Sequence, residues 1–218
     1  MTVPIYINNR DRLTTTRDLV QWLLKVGEED ITIVDNASTY PPLLDYYQSL
    51  PSSIRVIKIE NCGPTAVWDK GIFMERQHPY IVTDSDIVPA EYCPSDLVPK
   101  LLQFMNEFGK YGYKKIGPGI RIDNLPDEWP GKQKVLSWEK QFWEKRVLGC
   151  GFDAPIDTTF AIYPDGWSGP GDKALRLDHP YLVEHKPWYK WPLDEEEEYY
   201  RAHAAQCWST VSSPRWVL

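Results

Sequence analysis

The sequence predicts an α/β protein with a mainly parallel, doubly wound sheet and a mixed carboxyl-terminal half. Four short apolar runs, each typical of a buried strand, alternate with helical spacing between Val3 and Pro89. Strands that alternate with helices pair in parallel through right-handed crossovers, so this half is expected to be doubly wound. After Pro89 the regular alternation stops, which predicts a different arrangement for the second half.

Length and composition indicate one domain of ordinary globular character. In 218 residues, the hydrophobic fraction of 42% and the charged fraction of 25% are typical of soluble proteins. The net charge of −7, without a basic cluster, argues against nucleic acid and anionic membranes as partners. We find no leader peptide and no apolar run near the ~20 residues of a membrane span. The four cysteines lack metal-ligand or disulfide spacing, so a cytoplasmic location is expected.

The first half is predicted to contain four strands and three helices. The first helix has apolar residues at helical spacing and is closed by Gly27, and the third has Pro64 in its first turn. The predicted strands are 3–8, 30–34, 54–59 and 80–82, and the predicted helices are 16–26, 41–50 and 64–76.

The second half is predicted to be more irregular. Asp96 is expected to cap a helix over 97–108. A strand over 115–122 is expected to be interrupted at Gly117-Pro-Gly119. The acidic run 194–198 is expected to begin a solvated terminal helix, because carboxylates suit a helix amino terminus. The other expected elements are a helix over 135–146, strands over 158–163 and 175–177, and loops over 123–133, 148–152 and 165–172.

The central feature of the chain is Asp84-Ser-Asp86, which directly follows the fourth apolar strand. Carboxylates at the carboxyl end of such a strand lie at the sheet edge where open α/β folds bind ligands. Two hard oxygen donors there suit Mg²⁺ or Mn²⁺, and such an ion would neutralise a diphosphate. An Asp-x-Asp triplet also arises by chance, so its surroundings decide its meaning.

Polar residues follow all four predicted strands of the first half. Because the carboxyl ends of parallel strands share one edge, these four groups are expected to converge. No Gly-rich phosphate-binding fingerprint follows the first strand, which argues against a dinucleotide dehydrogenase or a P-loop enzyme. The groups are 8–10, 35–38, 61–63 and 84–86.

With these residues in place, the chain resembles the GT-A fold glycosyltransferases, close in layout to the large family-2 group. It is most similar to their small soluble single-domain members, including those of large algal (chlorella) viruses. The likeness runs from Val3 to about Tyr189, and the order and spacing of its motifs are more specific than any one of them. The motifs are the first strand with its Asn-Arg turn, Ile-Val-Asp35-Asn-Ala-Ser38, Asn61-x-Gly63, Asp84-Ser-Asp86, Gly149-Cys-Gly151-Phe, Asp157-Thr-Thr-Phe and His185.

The resemblance implies a single domain with a nucleotide-binding half (1–89) and an acceptor-side half (90–218). It implies transfer of a hexose or deoxyhexose, such as glucose or rhamnose, from a UDP-sugar to a hydroxyl of a glycan. Asp35 would hold the uracil and ribose with Arg10 nearby. The other donor-binding residues that it implies are Asn9, Asn61, Asp84 and Ser85.

The resemblance also implies a divalent cation, Mn²⁺ or Mg²⁺, as cofactor. Asp86 would ligate the cation, Asp84 would contact the ribose or metal-bound water, and His185 would complete the metal site. A cation that bridges the phosphates stabilises the departing nucleoside diphosphate. Lys70 and Arg176 are candidate supplements to that charge, with ordinary surface charge as the alternative for each.

An inverting transfer needs a base to deprotonate the acceptor hydroxyl. The family places an acidic residue after its Gly loop, usually as Glu-Asp, and Asp157 matches it here although Ile156 precedes it. That departure leaves Asp153 as an alternative base and leaves inverting versus retaining stereochemistry open. Asp157 is preferred because it leads a predicted strand and would be held more rigidly.

Aromatic residues are abundant, with ten Trp and thirteen Tyr. Their flat apolar faces and polar edges suit sugar rings, although packing in the core is their commoner use. Trp167, Trp188 and Tyr189 are expected near the acceptor, either stacking on a sugar or packing the final segment.

Two rival functions belong to other classes. A haloacid-dehalogenase-like phosphatase would use Asp84 as nucleophile and Asp86 as acid/base, with Gly171-Asp172 as a later metal motif. That motif normally opens its fold on the first strand, whereas three strands precede it here. A non-catalytic carbohydrate-binding module would explain the aromatic residues but not the convergent carboxylates.

Overall fold

The computed structural model describes residues 2–75, 79–147, 149–164 and 172–204. The ten strands of these ranges form one sheet. They are β1 (Ile5–Asn9), β2 (Ile31–Asn36), β3 (Arg55–Ile59), β4 (Tyr80–Asp84), β5 (Ile87–Pro89), β6 (Lys115–Ile120), β7 (Arg146–Val147), β8 (Gly151–Asp153), β9 (Ala161–Tyr163) and β10 (Ala174–His185). The helices are α1 (Thr14–Lys25), α2 (Pro41–Ser49), α3 (Ala66–Asp69), α4 (Leu97–Phe108), α5 (Lys132–Glu139) and α6 (Glu195–Ala204). None of these helices is long and apolar enough to cross a membrane.

The amino-terminal half of the sheet is parallel. Strands β3, β2, β1 and β4 lie side by side in that order and run in the same direction. Ile5 and Ile7 of β1 pack in one core with α1 and α4, whereas Tyr6 packs in a second core with α3. Strands buried on both faces read as continuous apolar runs. The predicted α/β class and parallel first half are therefore confirmed.

The carboxyl-terminal half of the sheet is mixed, as predicted. Strand β9 inserts antiparallel between β4 and β6, and β6 runs parallel to β10. Strand β10 is much longer than the predicted 175–177, and its pairing with β6 shifts register between Leu177 and Leu182. Its far end pairs antiparallel with β5, which sets His185 opposite Ile87. This pairing brings His185 next to Asp86 in space.

The expected interruption of the strand over 115–122 is wrong, because β6 runs without a break through Gly117-Pro-Gly119. Both glycines allow neighbouring strands to pack closely against β6. A Cβ on Gly117 would collide with the backbone oxygen of Phe160, and one on Gly119 would lie 2.7 Å from that of Leu177. Glycine in a strand interior often marks such a close approach of backbones.

Two predicted helices are shorter than expected. The helix predicted over 64–76 ends at Asp69, and Gly71 then takes a positive φ of 64° before a 3₁₀ turn over Ile72–Glu75. The helix predicted over 135–146 ends at Glu139 and tightens into a 3₁₀ turn over Lys140–Trp143. Likewise, Asp96 makes no side-chain cap on α4 and instead accepts a hydrogen bond from the Tyr181 hydroxyl.

The acidic run does begin a helix, α6, but the expectation that it is solvated is wrong. Glu196 and Glu197 are only 5% and 1% exposed, whereas Glu195 and Glu198 are exposed. Glu196 accepts hydrogen bonds from the backbone nitrogen and the hydroxyl of Thr14, at 3.0 and 2.7 Å. The two inward carboxylates therefore dock α6 against the beginning of α1, beside the carboxyl end of β1.

Candidate functional site

A cleft of about 590 Å³ lies at the carboxyl ends of the parallel strands. Asn8 and Arg10 at the end of β1, Asn36 at the end of β2 and Gly63 after β3 all line it. Asn36 ties two of these loops together, because its side chain donates to the oxygen of Gly63 and accepts from the nitrogen of Cys62, both at 2.7 Å. The predicted convergence of polar strand ends is thus confirmed. The other residues singled out from the sequence that line the cleft are Asp84, Ser85, Asp86, Asp157, Arg176, His185 and Trp188.

Asp84 ends β4, and Asp86 lies in the turn that follows. The hydroxyl of Thr158 donates to Asp84 Oδ2 at 2.6 Å. Burial raises the pKa of Asp84 well above its usual value, and the charges of Asp86 and Asp157 raise it further. Carboxylates that repel one another in this way favour a bound cation.

The side chains of His185 and Asp86 are of types that commonly bind divalent cations. His185 Nε2 lies 3.6 Å from Asp86 Oδ2, and Nδ1 is buried without a hydrogen-bond partner in the described part of the chain. Burial lowers the pKa of His185, which favours the neutral imidazole that ligates metals. Within the described ranges no three His, Cys, Asp or Glu side chains are close enough together to hold an ion. Water and substrate oxygens commonly complete the coordination of such a cation.

Arg12 is the main residue of the site that sequence reasoning missed. Its side chain is 2% exposed, with Nε 3.3 Å from Asp86 Oδ2 and Nη1 2.5 Å from Glu197 Oε2. The ring centroid of Tyr200 lies 3.8 Å from its Cζ. Burial alone would lower the pKa of Arg12, but the charges of Asp86 and Glu197 raise it above its usual value. The sequence shows basic residues after β1 and an acidic run far away in the chain, but nothing in either pattern indicates that the two are in contact.

Asp157 and a buried ion pair also line the cleft. Arg176 Nη1 lies 2.9 Å from Glu139 Oε2, and Arg176 Nε donates to the oxygen of Pro155 at 2.8 Å. Arg176 is therefore a buried, paired cation and not an ordinary surface charge. Lys115 is also buried, and burial lowers its pKa to about 8 while the charge of Asp157 opposes that shift.

Aromatic side chains also line the cleft, and the ring centroid of Trp188 lies 4.6 Å from that of His185. Trp188 stacks on Trp129 with ring centroids 6.3 Å apart, and Trp138 packs edge-on against Phe142. Trp138 is 46% exposed, which is high for a tryptophan. Sequence reasoning singled out only Trp188 of these four, because the others fall in a segment predicted as a loop and a helix.

Four of the predicted donor-binding residues do not line the cleft. Asp35 is 2% exposed and accepts a hydrogen bond from the Tyr47 hydroxyl at 3.1 Å. Asn9 is buried beside it and donates to the same hydroxyl at 2.8 Å. Asn61 accepts from the nitrogen of Gly63 within its own turn, and Lys70 pairs with Glu60 at 2.6 Å.

Two predicted residues on the acceptor side also lie away from the cleft. Asp153 ends β8, beyond the buried part of that strand. The Tyr189 hydroxyl donates to Asn124 Oδ1 at 2.8 Å, which holds the end of the chain segment after β10. Trp167 lies outside the described residues.

Comparison with protein-family models and with curated proteins finds no match. The fold and the cleft therefore define the class on their own. The chain is a mixed α/β protein with a cleft, lined by carboxylate, arginine and tryptophan side chains, at the carboxyl edge of its parallel strands.

Proposed function

We propose that this chain is a metal-dependent glycosyltransferase of the GT-A fold, which transfers a hexose or deoxyhexose from a UDP-sugar to a hydroxyl of a glycan. The observation that carries the proposal is the meeting of Asp84, Asp86, Asp157 and His185 in one cleft, although they are far apart in sequence. A cleft lined by both carboxylates and aromatic rings matches a donor with a charged leaving group and an acceptor made of sugar.

The topology supports the GT-A assignment. A parallel half in the order β3-β2-β1-β4 carries Asp84 on its last strand, and a mixed half follows it. Three strands precede the Asp-x-Asp motif, whereas the phosphatase alternative would have it on the first strand. Asp172 of the suggested later phosphatase motif is exposed and does not line the cleft.

The donor end would bind the nucleotide and a divalent cation. Asp86 and His185 would hold Mn²⁺ or Mg²⁺, with donor oxygens and water as further ligands. When bound, the cation neutralises charge on the departing nucleoside diphosphate. Arg10 and Asn36 are at the wall where the uridine would bind.

Asp157 is the proposed base. It lines the cleft and Asp153 does not, which favours Asp157 over the alternative. Its carboxylate would accept the proton of the attacking acceptor hydroxyl, while the hydroxyl oxygen forms the new bond to the donor carbon and the nucleoside diphosphate leaves. Because the hydroxyl would attack from the face opposite to the leaving group, the configuration of the anomeric carbon would be inverted.

The aromatic side chains that line the cleft support a glycan as acceptor. The exposed ring of Trp138 and the stacked pair Trp129–Trp188 offer flat apolar faces of the kind that pack against sugar rings. The buried Arg176–Glu139 pair also lines the cleft and offers fixed polar groups for hydroxyls.

Calorimetry with UDP and GDP, each with and without Mn²⁺, tests the proposal. We expect UDP to bind only weakly without Mn²⁺ and much more tightly with it, and GDP to bind less well under both conditions. Asp86→Ala should remove the Mn²⁺ dependence, whereas Asp45→Ala, an exposed carboxylate of α2, should not.

Two results would reject the proposal. The first is the absence of any metal-dependent UDP affinity in the wild-type chain. The second is release of inorganic phosphate from small phosphomonoesters without UDP binding, which is the behaviour of the phosphatase alternative.

A further inference from the structure

The guanidinium of Arg12 has one nitrogen without a hydrogen-bond partner in the described residues. Its Nε and Nη1 face Asp86 and Glu197, but Nη2 is buried and has no hydrogen-bond partner in the described ranges. A buried donor without a partner is costly, and native proteins leave few of them. An arginine presents its donors as a planar fork that fits two oxygens of one anion. The unpartnered Nη2 of Arg12 therefore points to an anionic ligand.

Other cations lie at the same end of the cleft. Arg10 and Arg201 line it with Arg12, and Arg10 Nε is also buried without a hydrogen-bond partner in the described residues. The nearest carboxylate to that nitrogen, Asp11, is 3.8 Å away. Within the reaction proposed above, the diphosphate is the strongly anionic part of the substrates.

We propose that Arg12 binds a phosphate of the nucleotide donor and that Glu197 of α6 positions its guanidinium. This inference rests on the proposed function, and it makes α6 part of the donor site. Glu197 keeps Arg12 in place when Asp86 takes other ligands. The Tyr200 ring stacks on the face of the guanidinium, with its centroid 3.8 Å from Cζ, whereas the N–H groups donate in the plane of the guanidinium.

Calorimetry of Arg12→Gln with UDP and with uridine, both in Mn²⁺, tests the role of Arg12. Losing a hydrogen-bonded charge pair should weaken UDP binding about tenfold to a hundredfold. Uridine, which lacks the phosphates, should bind as well as it does to the wild type. Arg146→Gln is the matched control, because Arg146 is 64% exposed and lies outside the cleft; it should change neither affinity.

A double-mutant cycle tests the role of Glu197. Glu197→Gln alone should weaken UDP binding less than Arg12→Gln does, and should leave uridine binding unchanged. Adding Glu197→Gln to Arg12→Gln should have no further effect on UDP, because a positioning residue acts only through the group that it positions. The double variant also removes both buried charges together, so it can be measured if Arg12→Gln alone does not fold.

The outcomes separate this inference from the function on which it rests. Equal losses of UDP and uridine affinity in Arg12→Gln would show a purely structural role and overturn the inference, while metal-dependent UDP binding by the wild type would still stand. If the wild type binds no UDP, the proposed function fails, and inorganic pyrophosphate becomes the probe. Pyrophosphate binding weakened by Arg12→Gln, or by the double variant, would still support an anion site, and unchanged or absent binding would reject it.

Discussion

The ionised form of Asp84 lowers the stability of the folded protein. Its pKa is raised by burial first and by the charges of Asp86 and Asp157 second, and only the Thr158 hydroxyl acts in the opposite direction. A carboxyl whose pKa is higher in the folded than in the unfolded chain destabilises the fold when it ionises. That loss is absent below the usual carboxyl pKa and grows as the pH rises toward the folded value. Strain of this kind is common where function needs charges close together.

Asp84→Asn should therefore stabilise the protein at neutral pH. The amide cannot ionise, so the variant should unfold at a temperature several degrees higher than the wild type near pH 7, where each kcal/mol corresponds to about 2–4 °C. The difference should vanish below the usual carboxyl pKa of about 4, where Asp84 is protonated in both the folded and the unfolded chain. Thermal unfolding followed by circular dichroism across this range measures it. Asp45→Asn, at an exposed site, should show no such pH-dependent gain; a variant no more stable than wild type at pH 7 would contradict the pKa assignment.

Replacing the proposed base separates Asp157 from Asp153. Asp157→Asn keeps the shape of the side chain but cannot accept the proton, so kcat should fall about 10²- to 10⁴-fold. Affinity for UDP and Mn²⁺ should change little. Asp153→Asn, on a carboxylate outside the cleft, should keep kcat near the wild-type value. Steady-state transfer rates with one donor and acceptor pair decide this, and the reverse ranking would assign the base to Asp153.

Individual residues show which parts of the candidate site could be predicted from the sequence. Asp84 and Asp86 were found because strand order brings the carboxyl ends of parallel strands to one edge, whereas His185 was indicated by the resemblance to GT-A glycosyltransferases. Arg12 and Glu139 were not found, because nothing local distinguishes a charge that will be buried and paired from one on the surface. Their partners, Glu197 and Arg176, are 185 and 37 residues away in the chain.

At the scale of elements, local patterns predicted the parallel half better than the mixed half. The strands near the amino terminus are apolar on both faces, so their runs are unambiguous. The predicted break in β6 was wrong because glycine and proline usually interrupt a strand, whereas here β9 and β10 approach so closely that only glycine fits. The long β10 was missed because its pairing partners β5, β6 and β8 come from separate parts of the chain.

The close approach at β6 leads to a prediction about stability. Gly117→Ala should destabilise the protein by at least about 2 kcal/mol, because the new methyl group would meet the rigid backbone oxygen of Phe160 and force the strands apart. Gly109→Ala is the control: that residue has a helical φ of −53°, and its nearest neighbour would be 3.9 Å from the new carbon. Urea unfolding of both variants measures the difference. Equal stabilities would mean that β6 can move without cost.

At the scale of the whole molecule, α6 packs against the loop between β1 and α1, although the two segments are far apart in the sequence. Its inward carboxylates join the beginning of α1 and the donor end of the cleft, and Tyr199 packs on Tyr40 with ring centroids 4.8 Å apart. The acidic run was predicted to be solvated because blocks of like charge usually are. The alternation of exposed and buried glutamates depends on which side of α6 faces the sheet, and that is a tertiary property. The sequence therefore predicted the helix but not its contribution to the site.

The docking of α6 predicts unequal effects for neighbouring glutamates. Glu196 accepts hydrogen bonds from the nitrogen and hydroxyl of Thr14, and so caps α1, whose own N-cap residue Leu13 supplies no side-chain bond. Glu196→Ala should cost about 2 kcal/mol, the sum of a lost helix cap and a buried donor left unpaired. Glu198→Ala, on the exposed side of the same helix, should change stability by less than about 0.5 kcal/mol. Urea unfolding of the two variants measures both values. Equal effects would show that α6 is held by its charge as a whole, and the contact with Thr14 would then contribute nothing of its own.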